Sequence, residues 1–281
     1  MVGADRYVIV VFQGSARPWS VLRDVDELAS VNGTIGPAEE MTIPVTDDGL
    51  LRGDGVFEVA RLYGGRPYAW DEHLERLQRS AANVRLEFDL DAAKAEVDAL
   101  LARAGAGDGT IRLVITRGGR RIAILAPLPA HRPTTTLATV TYAPTRVLDA
   151  VKSLSYAANM LAGRMAAESG AGEALLVTPH GRVLEAPTSA FFYVLDGRLH
   201  TPPLADHILD SITRRHVLEL TGATARVLHR DQLAELEEAF LASTTREVQP
   251  VAAIDGRALP RAPGPHTVTA AEWLRQRIDA S

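Results

Sequence analysis

Apolar positions along this 281-residue chain change period several times, and each change marks an element. In "GVFEVARLYGGRPY" two β-rich runs flank Gly64 and Gly65, which predicts a hairpin. Directly afterwards Leu74, Leu77 and Ala81 recur at i, i+3 and i+7, so "AWDEHLERLQRSAANVRL" is expected to be an amphipathic helix with Asp71 as its N-cap. A second helix, "DLDAAKAEVDALLARAG", stops at Gly105, and "GTIRLVITRGG", "RIAILAPL" and "TTTLATVTYA" read as strands. After the proline-bearing stretch "YAPTRVLDA", the helix "ANMLAGRMAAESG" leads into a run of strands: "EALLVTP", "RVLEAP", "SAFFYVLDG" and "RLHTPP". The helices "ILDSITRRHVLELTG" and "DQLAELEEA", the strand "FLAST" and a helix from about Thr267 complete the chain. Strands in runs, rather than in strict alternation with helices, predict an α+β fold.

The same pass suggests four segments. Residues 1–27 form an N-terminal extension with a short strand "YVIVVF"; 28–142 form a small α/β domain; 143–150 link it to a larger domain at 151–281.

Composition narrows the function. The hydrophobic fraction of 46% fills cores of this size, and the net charge of −5 without a basic run speaks against a nucleic-acid partner. There is no cysteine, so disulfides, thiolate nucleophiles and Cys-ligated metals are excluded, and no metal site is expected. The N-terminus lacks a basic region followed by a long apolar run, and no segment approaches the roughly 20 apolar residues of a membrane span. The expectation is a soluble, cytoplasmic protein with small-molecule substrates.

Against that background one residue stands out. The chain has 30 Lys plus Arg, yet only Lys94 and Lys152 are lysines. Lys94 lies on a solvated helical face, i, i+4 from Asp98. Lys152 sits among Val151, Leu154, Tyr156, Ala157 and Ala158. Two readings are open: its stem snorkels along an apolar surface, or desolvation makes it a neutral, nucleophilic amine fit for a Schiff base, which arginine cannot form. The second reading suggests pyridoxal phosphate, which needs an acid opposite its ring nitrogen and donors for its phosphate. Glu185, at the end of an apolar strand, is a candidate acid, or else the partner of a nearby arginine. "DSITRR" opens a helix at Ile212 and Thr213, "STT" places Ser243, Thr244 and Thr245 at a strand end, and Arg76 offers a bidentate fork; each is a usable phosphate cradle.

Taken in order, "LLRGDGVFEVARLYGG", "HLERLQRSA", "VKSLSYAANMLAGRMAAESGAGEALLV", "GRVLEAPTSAFFYV", "TPPLADHILDSITRR" and "FLASTTREVQPVAAIDG" resemble the motif series of the class IV aminotransferases, the fold-type IV pyridoxal-phosphate enzymes. The resemblance spans about residues 28–258. It implies a two-domain α+β architecture with the active site between the domains, and a homodimer with shared sites. It further implies Lys152 as Schiff-base lysine and proton shuttle, Glu185 at the pyridine nitrogen, and Tyr156 at the ring hydroxyl. Arg76, Ile212, Thr213, Ser243 and Thr244 would hold the phosphate, and Phe57, Glu58 and Thr245 would line the substrate side. Ala190 and Ser211 depart from the family's usual asparagine and glycine.

Substrate choice turns on arginines. Arg52, in "LLRGDG", could clamp a substrate carboxylate or pair on the surface with Asp54, and Arg121 is a second candidate. The arginine-x-histidine trap of D-amino acid aminotransferases is absent, since Ile122 and Ile124 follow "TRGGRR". The expected function is transfer of an amino group between an amino acid, D or branched-chain, and a 2-keto acid. The alternatives are a 4-amino-4-deoxychorismate lyase that releases pyruvate and a non-catalytic relative, which would be expected to lack Lys152 or Glu185.

Overall fold

A computed structural model describes residues 25–281, so the strand expected at "YVIVVF" lies outside the described residues. Two sheets organise the chain. The first contains β1 (Leu28–Val31), β2 (Thr34–Pro37), β3 (Gly55–Tyr63), β4 (Arg66–Pro67), β5 (Gly109–Thr116) and β6 (Arg121–Ala126), in the order β2-β1-β6-β5-β3-β4, all antiparallel. Side chains alternate across such a sheet. Val56, Ala60 and Leu62 on β3 and Ile111, Leu113 and Ile115 on β5 face one way, where they pack against Leu74, Leu77 and Ala81 of α2 (Trp70–Asn83) and Val97 and Leu100 of α3 (Leu90–Ala104). The opposite face carries Phe57, Val59 and Arg112, which line a cavity.

The second sheet contains β7 (Thr135–Thr141), β8 (Glu173–Val177), β9 (Ala190–Leu195), β10 (Arg198–Thr201), β11 (Thr224–Ala225), β12 (Glu238–Ser243), β13 (Glu247–Ile254) and β14 (Arg257–Ala258). Its order is β11-β10-β9-β12-β13-β7-β8, with β14 on β13. β9, "AFFYVL", is buried at every position because both faces are covered. Phe191 and Tyr193 belong to one core, while Phe192 and Val194 pack against Val217 of α5 (Ile212–Thr221) and Ala270, Leu274 and Ile278 of α6 (Pro265–Asp279). An uninterrupted apolar run is the pattern such a central strand requires. α4 (Ala157–Glu168) covers the far end through Ala162 and Ala166.

Four expectations change. Thr135–Thr141, read with the first region, pairs in parallel with β8 and β13 and so belongs to the second sheet. Partners that distant in sequence leave no local mark. The first long helix begins at Trp70, after Ala69 in a left-handed conformation, which puts Asp71 inside the first turn instead of at the cap. "RVLEAP" forms only isolated bridges at Arg182, Val183 and Ala186. "DQLAELEEA" is a short 3-10 turn, Arg230–Glu235, followed by β12. Glu238 on β12 is fully buried, and its carboxylate accepts from the N–H groups of His266 and Thr267 at the start of α6, a use of an acid at a helix N-terminus that outweighs helical propensity.

Candidate active site

The cavity, about 710 Å³, opens between the two sheets. Phe57, Val59 and Arg112 supply one wall, Glu185 and Ser243–Arg246 another, and the segment 148–156 runs along it. Lys152, Glu185, Arg76, Tyr156, Ser243, Thr244, Thr245 and Phe57 all reach this space.

The backbone of Lys152 is fixed from two directions. Its carbonyl accepts from Phe57 N–H on β3 (3.0 Å), and its own N–H donates to Ser80 Oγ on α2 (3.1 Å). Leu154 N–H donates to Gly55 O (2.9 Å). A Cβ at Gly55 would come within 2.5 Å of Ile115 O and 2.7 Å of Leu154 Cδ1, so only glycine lets the segment approach β3 this closely. The side chain, by contrast, makes no hydrogen bond or ion pair among the described residues. Nζ lies 4.5 Å from the ring centroid of Phe57 and 5.7 Å from that of Tyr156. Desolvation, reinforced by the charge of Arg76, brings the Lys152 amine down to about 8.

Glu185 shows the complementary shift. Burial pushes its carboxyl up to about 7 against the pull of one hydrogen bond, from Leu209 N–H to Oε1 at 3.0 Å, and the charge of Lys152. Both side chains keep some accessible surface because each faces the cavity, yet both lie deep enough for desolvation to dominate. The expected arginine partner of Glu185 is not in contact with it: no ion pair involves this carboxylate among the described residues. Tyr156, edge-on to Phe57 at 5.3 Å, is pushed up to about 12 by burial and by Glu185, so it stays a neutral hydroxyl.

Strand alternation separates Phe57 from Glu58. Phe57 lines the cavity, whereas Glu58 points to the helix side, fully buried. There it accepts from Arg76 Nε (2.6 Å) and Nη2 (2.7 Å) and contacts His73 Nδ1 (2.7 Å). Burial alone would raise its carboxyl; the charge and bonds of Arg76, with those of His73, more than reverse this and hold it at about 2. Arg76 Nη1 donates to Asp210 O (3.0 Å), just before α5. Ser211 caps that helix by accepting from Arg214 N–H (3.3 Å), and Ile212 and Thr213 form its buried first turn, whose N–H groups have no intrahelical acceptor.

Two arginines lie elsewhere. Arg121 is bound to Glu96 of α3 through Nε (2.8 Å) and Nη2 (2.7 Å), away from the cavity. Arg52 ends α1 (Asp48–Arg52), with a side chain 69% exposed and paired with Asp48; Asp54, its expected surface partner, is bound by Arg117.

Ser80, His73, His131 and Arg112 are among the polar side chains at or near the cavity that were not among the residues expected from the sequence. Only Arg112 leaves a legible signal, a charge in the middle of the apolar strand "GTIRLVIT". Its guanidinium lies over Phe57 at 5.0 Å, makes no ion pair among the described residues, and is lowered by burial. His131, beside Thr245 Oγ1 (3.4 Å), is also lowered by burial and by Arg246 and Arg61.

A lysine amine poised near neutrality, a buried acid with one partner and a hydroxyl-lined turn beside a free helix start fit the three ends of pyridoxal phosphate. Comparison with known proteins agrees. Residues 55–254 match the family model "Amino-transferase class IV". The chain belongs to this family, whose members are pyridoxal-phosphate enzymes. It is 31% identical to the D-alanine aminotransferase of Bacillus licheniformis in a 271-position alignment that covers 88% of this chain and 95% of that protein. It is 32% identical to a putative branched-chain-amino-acid aminotransferase of Methanocaldococcus jannaschii over 255 positions, 82% and 88% of the two chains. A hypothetical aminotransferase from Mycobacterium tuberculosis, solved in a PLP-bound form and in a form with alpha-ketoglutarate and PMP, superposes with a TM-score of 0.82 at 28% identity over 90% of this chain and 99% of that one. The protein is a pyridoxal-phosphate-dependent aminotransferase with the two-sheet α+β fold of its relatives. These relatives carry aminotransferase names, which favours transamination over the lyase alternative. Among the described residues no helix is long and apolar enough to cross a membrane.

Proposed function

We propose that this aminotransferase uses Lys152 as its reacting amine and takes a dicarboxylic 2-keto acid as one substrate. The observation that carries the first part is the environment of Lys152: an unpaired Nζ at the cavity wall, lowered to about 8 by burial and Arg76. An amine with that value is partly neutral at pH 7 to 8, and therefore nucleophilic, where an ordinary lysine is almost wholly charged. When bound, the cofactor supplies a carbonyl for this amine and an electron sink for the pair left at the substrate carbon. Lys152 Nζ, at the cavity wall, would be the base that takes and returns the proton at the substrate α-carbon. Glu185 would hold the ring nitrogen by accepting a hydrogen bond from it, a partner for a carboxylate that has one hydrogen bond here. Tyr156, held neutral, would donate to the ring oxygen. Arg76 and the hydroxyls of Ser243 and Thr244, which line the cavity, would hold the phosphate together with the N–H groups of Ile212 and Thr213 at the start of α5.

Arg112 supports the second part. A cation facing the cavity without a carboxylate of its own is a ready anchor for one from the substrate. The apolar Phe57 and Val59 beside it on the same face leave room for a side chain without charge, as branched-chain or D-alanine donors carry. Arg112→Gln is expected to raise KM for 2-oxoglutarate by about 10- to 100-fold, the worth of a hydrogen bond to a charged group, with little change for pyruvate. An equal rise in KM for both acceptors would put Arg112 on the α-carboxylate they share and overturn the dicarboxylic preference, and no rise for either would remove Arg112 from substrate recognition.

The working unit is a homodimer in this reading. Val45, Leu50, Leu51, Met160, Leu161 and Met165 are exposed apolar side chains that a second copy would cover, and Arg52, next to Leu51 at the end of α1, would then lie at that interface. Sedimentation at twice the chain mass is expected; a monomer at micromolar concentration would leave Arg52 without a substrate role.

A further inference from the structure

Glu58 is fully buried and does not reach the cavity, yet it makes the closest charged contacts in its vicinity. Its two oxygens take Nε and Nη2 of Arg76 at 2.6 and 2.7 Å, the paired geometry that fixes a guanidinium plane as well as its position. Once Nε and Nη2 are committed, Nη1 is the end left to project, and it reaches Asp210 O at 3.0 Å beside the start of α5. A third donor secures the carboxylate. His73 is buried on α2 and burial lowers its ring below the ordinary histidine value, so it is neutral at pH 7. A neutral ring facing an ionised carboxylate donates through Nδ1–H, at 2.7 Å, and leaves Nε2 bare. Three residues from β3 and α2 thus form one closed unit, in which Arg76, a residue of the cavity wall, turns Nη1 toward the start of α5.

We infer that Glu58 and His73 are positioning residues for cofactor binding: they hold Arg76 in the orientation that presents Nη1 to a phosphate, though neither touches cofactor or substrate. The inference rests on the assignment of Arg76 to the phosphate end made above. It makes a selective demand. A support that acts through Arg76 matters to a ligand with a phosphate and not to the same ring without one, whereas a merely structural polar contact would affect both.

The test is titration of the cofactor-free full chain with pyridoxal phosphate and, separately, with pyridoxal, followed by the visible absorption of the lysine-bound ring. Wild type, Glu58→Gln, His73→Leu and Arg76→Gln are compared. Glu58→Gln is expected to weaken pyridoxal phosphate by about 10- to 100-fold, the loss found when a group that orients a ligand is removed at metal sites, with pyridoxal almost unchanged. His73→Leu leaves the Glu58–Arg76 pair in place and gives the same selectivity at smaller size; it decides the matter alone should Glu58→Gln not fold. If Arg76→Gln is selective for the phosphate ligand while Glu58→Gln and His73→Leu weaken both ligands equally or neither, the inference is overturned and the assignment of Arg76 stands. If Arg76→Gln itself shows no selectivity, that assignment falls, and the inference with it.

Discussion

Lys152→Ala is expected to lower the transamination rate by about 10⁴-fold or more, since in the proposed mechanism it removes both the reacting amine and the group that moves the α-proton. The absorption band of the lysine-bound cofactor should vanish with it. The fold should survive, because the bonds that stitch this segment to β3 and α2 belong to the Lys152 backbone and the side chain makes none. Lys152→Arg should be equally inactive: it keeps a charge in place but offers no neutral amine. Lys94→Ala, on the outer helix α3, should retain the full rate. Turnover of Lys152→Ala within tenfold of wild type would refute the role.

Glu185→Gln has the next largest expected effect, a fall in kcat of about 10²- to 10³-fold, as for other single groups that stabilise developing charge in a buried site. It also separates the cost of this acid from its use. In the cofactor-free protein the Glu185 carboxyl is raised from 4.5 to about 7. Protonation therefore favours the folded state: the contribution is complete below pH 4.5 and is lost as pH rises through 7. Above pH 7 the native protein carries a buried, singly bonded carboxylate at a cost on the order of 3 kcal/mol. Cofactor-free Glu185→Gln should thus melt several degrees higher than wild type at pH 8, with the gap shrinking toward pH 5. Lys152 slopes the other way, since its amine is lowered from 10.5 to about 8: its contribution is present above pH 10.5 and lost as pH falls through 8. Both residues are unfavourable to the free protein near neutrality, and a cofactor that partners both stabilises it there. A pH-independent difference in melting between wild type and Glu185→Gln would contradict this account.

Much of the site was legible from residues that do not suit their surroundings. Lys152 and Glu185 are ionisable groups in apolar segments, and both come to the cavity with shifted ionisation. Arg112 carries the same signal in the centre of β5. Glu58 shows that adjacency in sequence is not adjacency in a site: one residue from Phe57, it faces the other side of β3, and period-two alternation would have separated them. Ser80 could not be found this way. A serine within a helix looks ordinary, and its bond to Lys152 N–H joins positions 72 residues apart. The hairpin β3–β4 and the helices α2 and α3 were readable because their contacts are local. β7 was not, since its partners β8 and β13 are parallel strands brought beside it only by the folded chain.

A chain with two lysines permits an unusually direct test of the central assignment. The protein loaded with pyridoxal phosphate is reduced with borohydride, digested, and mapped by mass spectrometry for the lysine that carries the phosphopyridoxyl group. The group is expected on Lys152 and not on Lys94. Its recovery on Lys94 or on the N-terminal amine, with Lys152 unmodified in catalytically active protein, would contradict it.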